Sequence, residues 1–149
     1  ARGVVPGNDA ALITAALGKG ATHAVTAPAL FYRTAELAPK TQAYPLEEIN
    51  DYLRLHPARA EAVRRTLANF DLVALAPRIT AATLVMAGAP GSLLDAAALR
   101  PLTAALKGPV TVYESQQSLY KDGLYSERWM AERCGIADVQ SILPEHWRE

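Results

Sequence analysis

Few side chains in this chain of 149 residues are of a type and in a setting that could drive nucleophilic or acid–base chemistry. Asp9 stands where a short β-prone run, Arg2–Val5, stops at Pro6-Gly7 and the helical segment AALITAAL begins. A carboxylate in such a turn can act as a nucleophile. It can equally cap the helix, satisfying free amides and the helix dipole, and that is the reading Asn8-Asp9 favours. Asp95 carries the same pair of readings, an acid or the cap of AAALRPLTAAL, and again the cap is preferred. Ser92, Ser115 and Ser118 each follow an apolar run, in polar loops where α/β folds build their sites. A nucleophilic serine needs a base within hydrogen-bond reach, and nothing in the spacing supplies one. Solvated loop serines are the expectation.

The three histidines are far apart. His23 lies inside the run THAVTA and reads as a packed or edge side chain, His56 precedes Pro57 between two helical segments, and His146 sits in the tail. Their spacing forms no H-x₃-H pattern, and there is no C-x-x-C, so no metal or cofactor is expected. Gly88-Ala-Pro-Gly91 lacks the lysine and pattern of a phosphate loop and reads as a turn. The single Cys134 excludes an internal disulfide and reads as a buried, inert thiol near the end of a helix.

Positioning these residues requires an alternation of strands and helices. Apolar runs at Arg2–Val5, Thr22–Ala27, Thr83–Gly88 and Val110–Glu114 read as strands. Between them come helices: the one after Asp9, ended by Gly18-Lys19-Gly20, then Asp95–Leu106, and after the last strand Tyr125–Cys134. This βαβ order implies parallel pairing. A helical excursion separates the second and third strands, with a short helix at Phe31–Ala38 and longer ones at Leu46–Leu53 and Ala58–Ala68. Ile49, Tyr52 and Leu53 share a face of the first long helix, and Ala60, Val63 and Leu67 share one of the second. Arg59, Glu61, Arg64 and Arg65 read as a solvated face. Pro57 suits a first helical turn, where its missing N–H costs little.

Bulk composition narrows the class. Half the residues are hydrophobic, enough for one compact core. Fifteen basic against fifteen acidic residues give a net charge of zero, which argues against nucleic acid or an anionic membrane surface as partner. No apolar run approaches the ~20 residues that span a bilayer. A soluble protein is expected; the sequence leaves its compartment open, with the cytoplasm slightly favoured. Residues 1–135 read as the folded domain and residues 136–149 as a tail in which Ile142, Leu143 and Trp147 are suited to docking.

The excursion also carries a likeness. Tyr44, Glu47 or Glu48 with Ile49, Tyr52 and Leu53, then Arg65-Thr66-Leu67, Phe70-Asp71 and Leu75-Ala76-Pro77-Arg78-Ile79 resemble successive motifs of the acetyl xylan esterase/cephalosporin C deacetylase (carbohydrate esterase family 7) α/β-hydrolases. The resemblance runs from about Arg2 to the helix near Cys134. None of the matched residues is catalytic in that family. The fold it implies is a partial α/β-hydrolase-like parallel sheet of about four strands with flanking helices, corresponding to the second half of such an enzyme.

The resemblance also implies where a Ser–His–Asp triad would stand, and all three places are altered. The nucleophile position in the family's G-x-S-x-G elbow falls on Asp9 if the strand is aligned and on Val5 if the helix is aligned. Gly91 replaces the acid, with Asp95 four residues on as a possible displaced acid, and Ser118 replaces the base. The leading expectation is therefore a degenerate, non-catalytic domain acting in assembly or as a packing partner. The alternatives are an acetyl esterase completed by another chain or by a missing N-terminal half, and a small-molecule binding module. An apolar first strand would need covering, so a partner chain, the missing half or a homo-oligomer is expected there.

Overall fold

Apolar strands alternating with helical segments favour parallel pairing. The computed structural model, which describes residues 7–18, 20–138 and 140–141, holds a parallel sheet of three strands among them. β1 (His23–Thr26), β2 (Ala82–Ala87) and β3 (Val110–Glu114) lie side by side in that order. His23 faces Ala82 across the first ladder, and Thr83 faces Val110 across the second. The strand expected at residues 2–5, Val5 included, lies outside the described residues.

Side chains alternate across the sheet, so each strand feeds two cores. Ala24, Val85 and Ala87 point into the larger one, where they meet Leu12, Tyr32, Leu72, Ile79, Leu99 and Leu102. Val25, Leu84, Met86 and Tyr113 point to the other face, where Trp129 closes a smaller cluster. Trp129 also donates its indole N–H to Thr111 Oγ1 at 3.2 Å, so its polar edge is satisfied where it is buried. Arg133 lies over the same ring, 3.8 Å from its centroid.

The larger core is covered by helix α1 (Gly7–Leu17), by the short α5 (Leu72–Leu75) and by α6 (Arg100–Ala105). The smaller face carries α7 (Leu119–Arg133). The excursion between β1 and β2 consists of α2 (Thr34–Leu37), α3 (Leu46–Leu55) and α4 (Ala60–Ala68), linked by 3₁₀ turns at Ala38–Lys40 and Pro57–Arg59. Asn50 holds its base together by donating from Nδ2 to the carbonyls of Ala38 and Thr41. No described helix is long and apolar enough to cross a membrane.

Three expectations shift. The helix expected from Asp95 begins only at Arg100, with Pro101 in its first turn, because the Asp95 carboxylate binds amides on both sides of itself and winds the chain into turns first. The last helix begins at Leu119 rather than Tyr125, because the Ser118 hydroxyl caps it by accepting from the Lys121 amide at 3.2 Å. Cys134 is exposed, not buried: it ends α7 on the outer surface.

One glycine is dictated by close approach. After α6 the Lys107 and Gly108 amides both reach the Ile79 carbonyl at 3.1 Å, pressing the chain against residues 79–81. A Cβ on Gly108 would stand 2.3 Å from the Ala81 carbonyl oxygen and 2.4 Å from that of Thr80. Gly108→Ala is expected to cost about 1–3 kcal/mol, since backbone must move, and to lower Tm by roughly 3–10 °C in a thermal melt. An unchanged Tm would show that the 79–81 segment yields freely.

Candidate functional site

In a parallel sheet the loops leaving the C-terminal strand ends gather on one edge, where α/β folds bind and react. Here those loops follow Thr26, Ala87 and Glu114. Each contains, or is held by, one of the residues that the sequence singled out.

Asp9 serves the first. It lies in the first turn of α1 and is fully buried. Its carboxylate accepts the amides of three consecutive residues beyond β1: Ala29 at 3.0 Å, Leu30 at 2.6 Å and Phe31 at 3.1 Å. The expected cap of its own helix is thus corrected, because the side chain turns away from α1 to the neighbouring loop. An ionised carboxylate offers about four lone-pair sites, and charge-assisted bonds to backbone N–H groups are roughly twice as strong as neutral ones. The same burial seals both oxygens from any substrate. Val5, the other nucleophile-equivalent position, lies outside the described residues.

Gly91 and Asp95 meet in the second loop. The Asp95 carboxylate accepts from the Gly91 amide at 3.0 Å and the Ala98 amide at 2.8 Å, so it caps the turns ahead of α6. These bonds, Ala98's first and then Gly91's, hold its carboxyl below the usual aspartate range. Gly91 itself has φ +79°, a conformation side-chain-bearing residues rarely adopt. The first two loops are tied together: buried Tyr32 donates its hydroxyl to the Ala98 carbonyl.

The third loop is organised by Asp122, which the sequence reading passed over. It is nearly fully buried in the first turn of α7. It accepts from the Ser115 hydroxyl at 2.6 Å, the Tyr113 hydroxyl at 3.1 Å and the Gln116 amide at 2.9 Å. Ser115 in turn accepts the Gln117 amide at 3.1 Å, and Tyr125 stacks on Tyr113 at 4.1 Å. Ser118, the base-equivalent position, is the cap of α7. The available signal was Ser118 followed at i+4 by an aspartate, a spacing that places both at one helix start. Ser92 is exposed in the second loop.

The histidines lie elsewhere. His23 opens β1 and so sits at the opposite edge of the sheet, its Nδ1 3.0 Å from Thr22 Oγ1 and its ring edge-on to Trp129 at 6.3 Å. His56 ends α3 against Tyr52, with ring centroids 4.7 Å apart. His146 lies outside the described residues. Among the described residues, no histidine stands in the three loops, and no group of three or more His, Cys, Asp or Glu side chains is placed to hold a metal.

Removing Asp9 leaves three amides facing a buried void, and Asp9→Asn turns a donor toward donors. Either substitution is expected to cost about 1–3 kcal/mol in urea unfolding. Faster hydrogen exchange at Ala29, Leu30 and Phe31 would localise the effect. Unchanged exchange there would refute the role. For Asp95, whose carboxyl titrates lower in the folded chain than in the unfolded one, the stabilisation holds above the unfolded range and is lost as pH falls through the folded value. Its carboxyl NMR shift should titrate below the ordinary ~3.9, and Asp95→Asn should flatten the acid limb of the stability profile.

The comparisons agree with this architecture. The chain is similar in structure to an acetyl xylan esterase from Paenibacillus sp. R4, with a TM-score of 0.74 and 22% identity over 85% of this chain. At that identity the likeness speaks for the fold: a partial α/β-hydrolase-like parallel sheet with flanking helices. The chain spans 42% of that esterase's length. No curated protein matches the sequence. The family model for acetyl xylan esterase (AXE1) matches residues 1–98, about two-thirds of the chain, and the chain therefore belongs to the acetyl xylan esterase (AXE1) family.

Proposed function

We propose that this chain uses the acetyl xylan esterase fold without hydrolysing esters, as a scaffold within an assembly. The observation that carries this reading is Asp9, whose carboxylate is buried and bonded to three amides where an attacking group would need to be exposed. Gly91 offers no carboxylate, Ser118 caps a helix, and the carboxylates of Asp95 and Asp122 are bonded within their own loops. A Ser–His–Asp triad works through an exposed hydroxyl, a base beside it and an acid that orients that base. Ser92 is exposed in the second loop, but no histidine stands in any of the three described loops to serve it as a base. The purified chain is expected to show no turnover of p-nitrophenyl acetate or acetylated xylo-oligosaccharide above the buffer rate. A fluorophosphonate probe should label no serine. A labelled serine would overturn the reading.

A second reading rests on the 42% span of the similar esterase: this chain contributes to an ester-hydrolysing site whose nucleophile lies on other polypeptide. Native mass spectrometry of material from the natural source separates the two. A stable complex with a G-x-S-x-G-bearing chain that turns over acetyl esters supports the second reading, and a complex without turnover supports the first.

A further inference from the structure

The smaller core is left open on the side of β1. Leu84, Tyr113 and Trp129 are buried in it, whereas Val25 and Met130 beside them are only partly so. Between β1 and α7 runs a groove of about 450 Å³, lined by Val25, Met130, Ala131 and Ile136 together with Glu127 and Gln140. Ile136 is 55% exposed there. Among the described residues, no strand pairs with the outer edge of β1 to close this flank. The chain itself turns back toward it. At the end of α7, Gly135 takes φ +71° and the Ile136 amide returns to the Ala131 carbonyl at 3.0 Å, the reversal that a left-handed cap produces. By Ser141 the chain has travelled back along the helix. The Ser141 hydroxyl donates to Glu127 Oε2 at 2.7 Å, at a level roughly 9 Å along the axis from Arg133.

We propose that the segment after Ser141, Ile142-Leu143-Pro144, docks into this groove of its own chain as an extended strap and completes the smaller core. Ile142, Leu143 and Pro144 lie outside the described residues, but their point of departure lies within them. Consecutive Cα atoms stand about 3.8 Å apart, so Ser141 delivers Ile142 to the groove wall that Glu127 helps to form. Pro144 biases Leu143 toward extended backbone, and in an extended chain neighbouring side chains point to opposite sides. Ile142 and Leu143 therefore present one apolar side chain to Met130 and Ala131 on α7 and the other to Val25 on β1. Groove and segment match in chemistry: the groove is walled largely by apolar atoms, and the segment carries no charge before Glu145. A separate chain would have to enter past Gln140 and Ser141, which already lie along this side of α7. An attached segment meets the groove at high effective concentration. This docking is independent of whether the chain hydrolyses esters.

Methyl NMR of the full chain is the test. Met86 and Met130 are the two methionines, so the Met130 methyl is assigned by Met130→Leu. Nuclear Overhauser contacts are expected from the Met130 methyl to one of Ile142 and Leu143, and from the Val25 methyls to the other. Thermolysin, which cuts before Ile and Leu, should release residues 142–149 slowly. Met130→Lys sets a charge in the groove and should speed that release at least about tenfold, with α7 unchanged by circular dichroism. The wild-type contacts decide the matter even where Met130→Lys unsettles the core. The absence of contacts from Met130 and Val25 to both residues overturns the proposal. Contacts found only between labelled and unlabelled copies in a mixture would put a second copy's tail in the groove and overturn it equally, as would equal release from the wild type and Met130→Lys.

Discussion

A carboxylate taken out of water has to be met by donors, and Asp9 is met by three amides in a row. Much of the molecule is arranged around that need. The loop beyond β1 is fixed where its Ala29, Leu30 and Phe31 amides converge, which places Tyr32 in the core and lets it reach the Ala98 carbonyl ahead of α6. The Phe31 carbonyl in turn accepts the Leu72 amide at 2.9 Å and so seats α5. Two helices and two loops thus take their positions from one buried side chain and the residues next to its partners.

The same device recurs along the edge of the sheet. Asp95 draws in Gly91 and Ala98 after β2, and Asp122 draws in Tyr113, Ser115 and Gln116 after β3. The three are not equal. Asp9 and Asp122 are buried, so each lost partner is felt in full, whereas Asp95 is partly open to water, which can replace what it loses. Along this edge the carboxylates bind backbone and hydroxyl groups.

The excursion follows a different logic. Its helices keep the amphipathic pattern of packed elements, yet α4 finds too little of the domain to bury against. Hydrophobic periodicity states that a helix has a face to cover, and the tertiary structure states whether that face is covered.

Local pattern alone determined a good deal here. The apolar runs around Val25, Leu84 and Val112 mark β1, β2 and β3 to within a residue or so, their alternation with helices implies parallel pairing, and the run from Tyr44 to Ile79 carries the family likeness. These features are legible because strand and helix periods and short motifs are properties of neighbours in the chain. Only the tertiary structure decided what the polar residues do. Asp9 looks like a cap of the helix it begins, but its partners lie 20 to 22 residues away. Asp122 stands ahead of the helix that the sequence places at Tyr125–Cys134, and only the packing of α7 on β3 buries it. Cys134 ends a helix whose inner face is set by Trp129, which leaves the thiol outside. A hydrogen bond between a side chain and distant backbone leaves no period in the sequence, so the fate of each carboxylate became visible only once the chain had closed on itself.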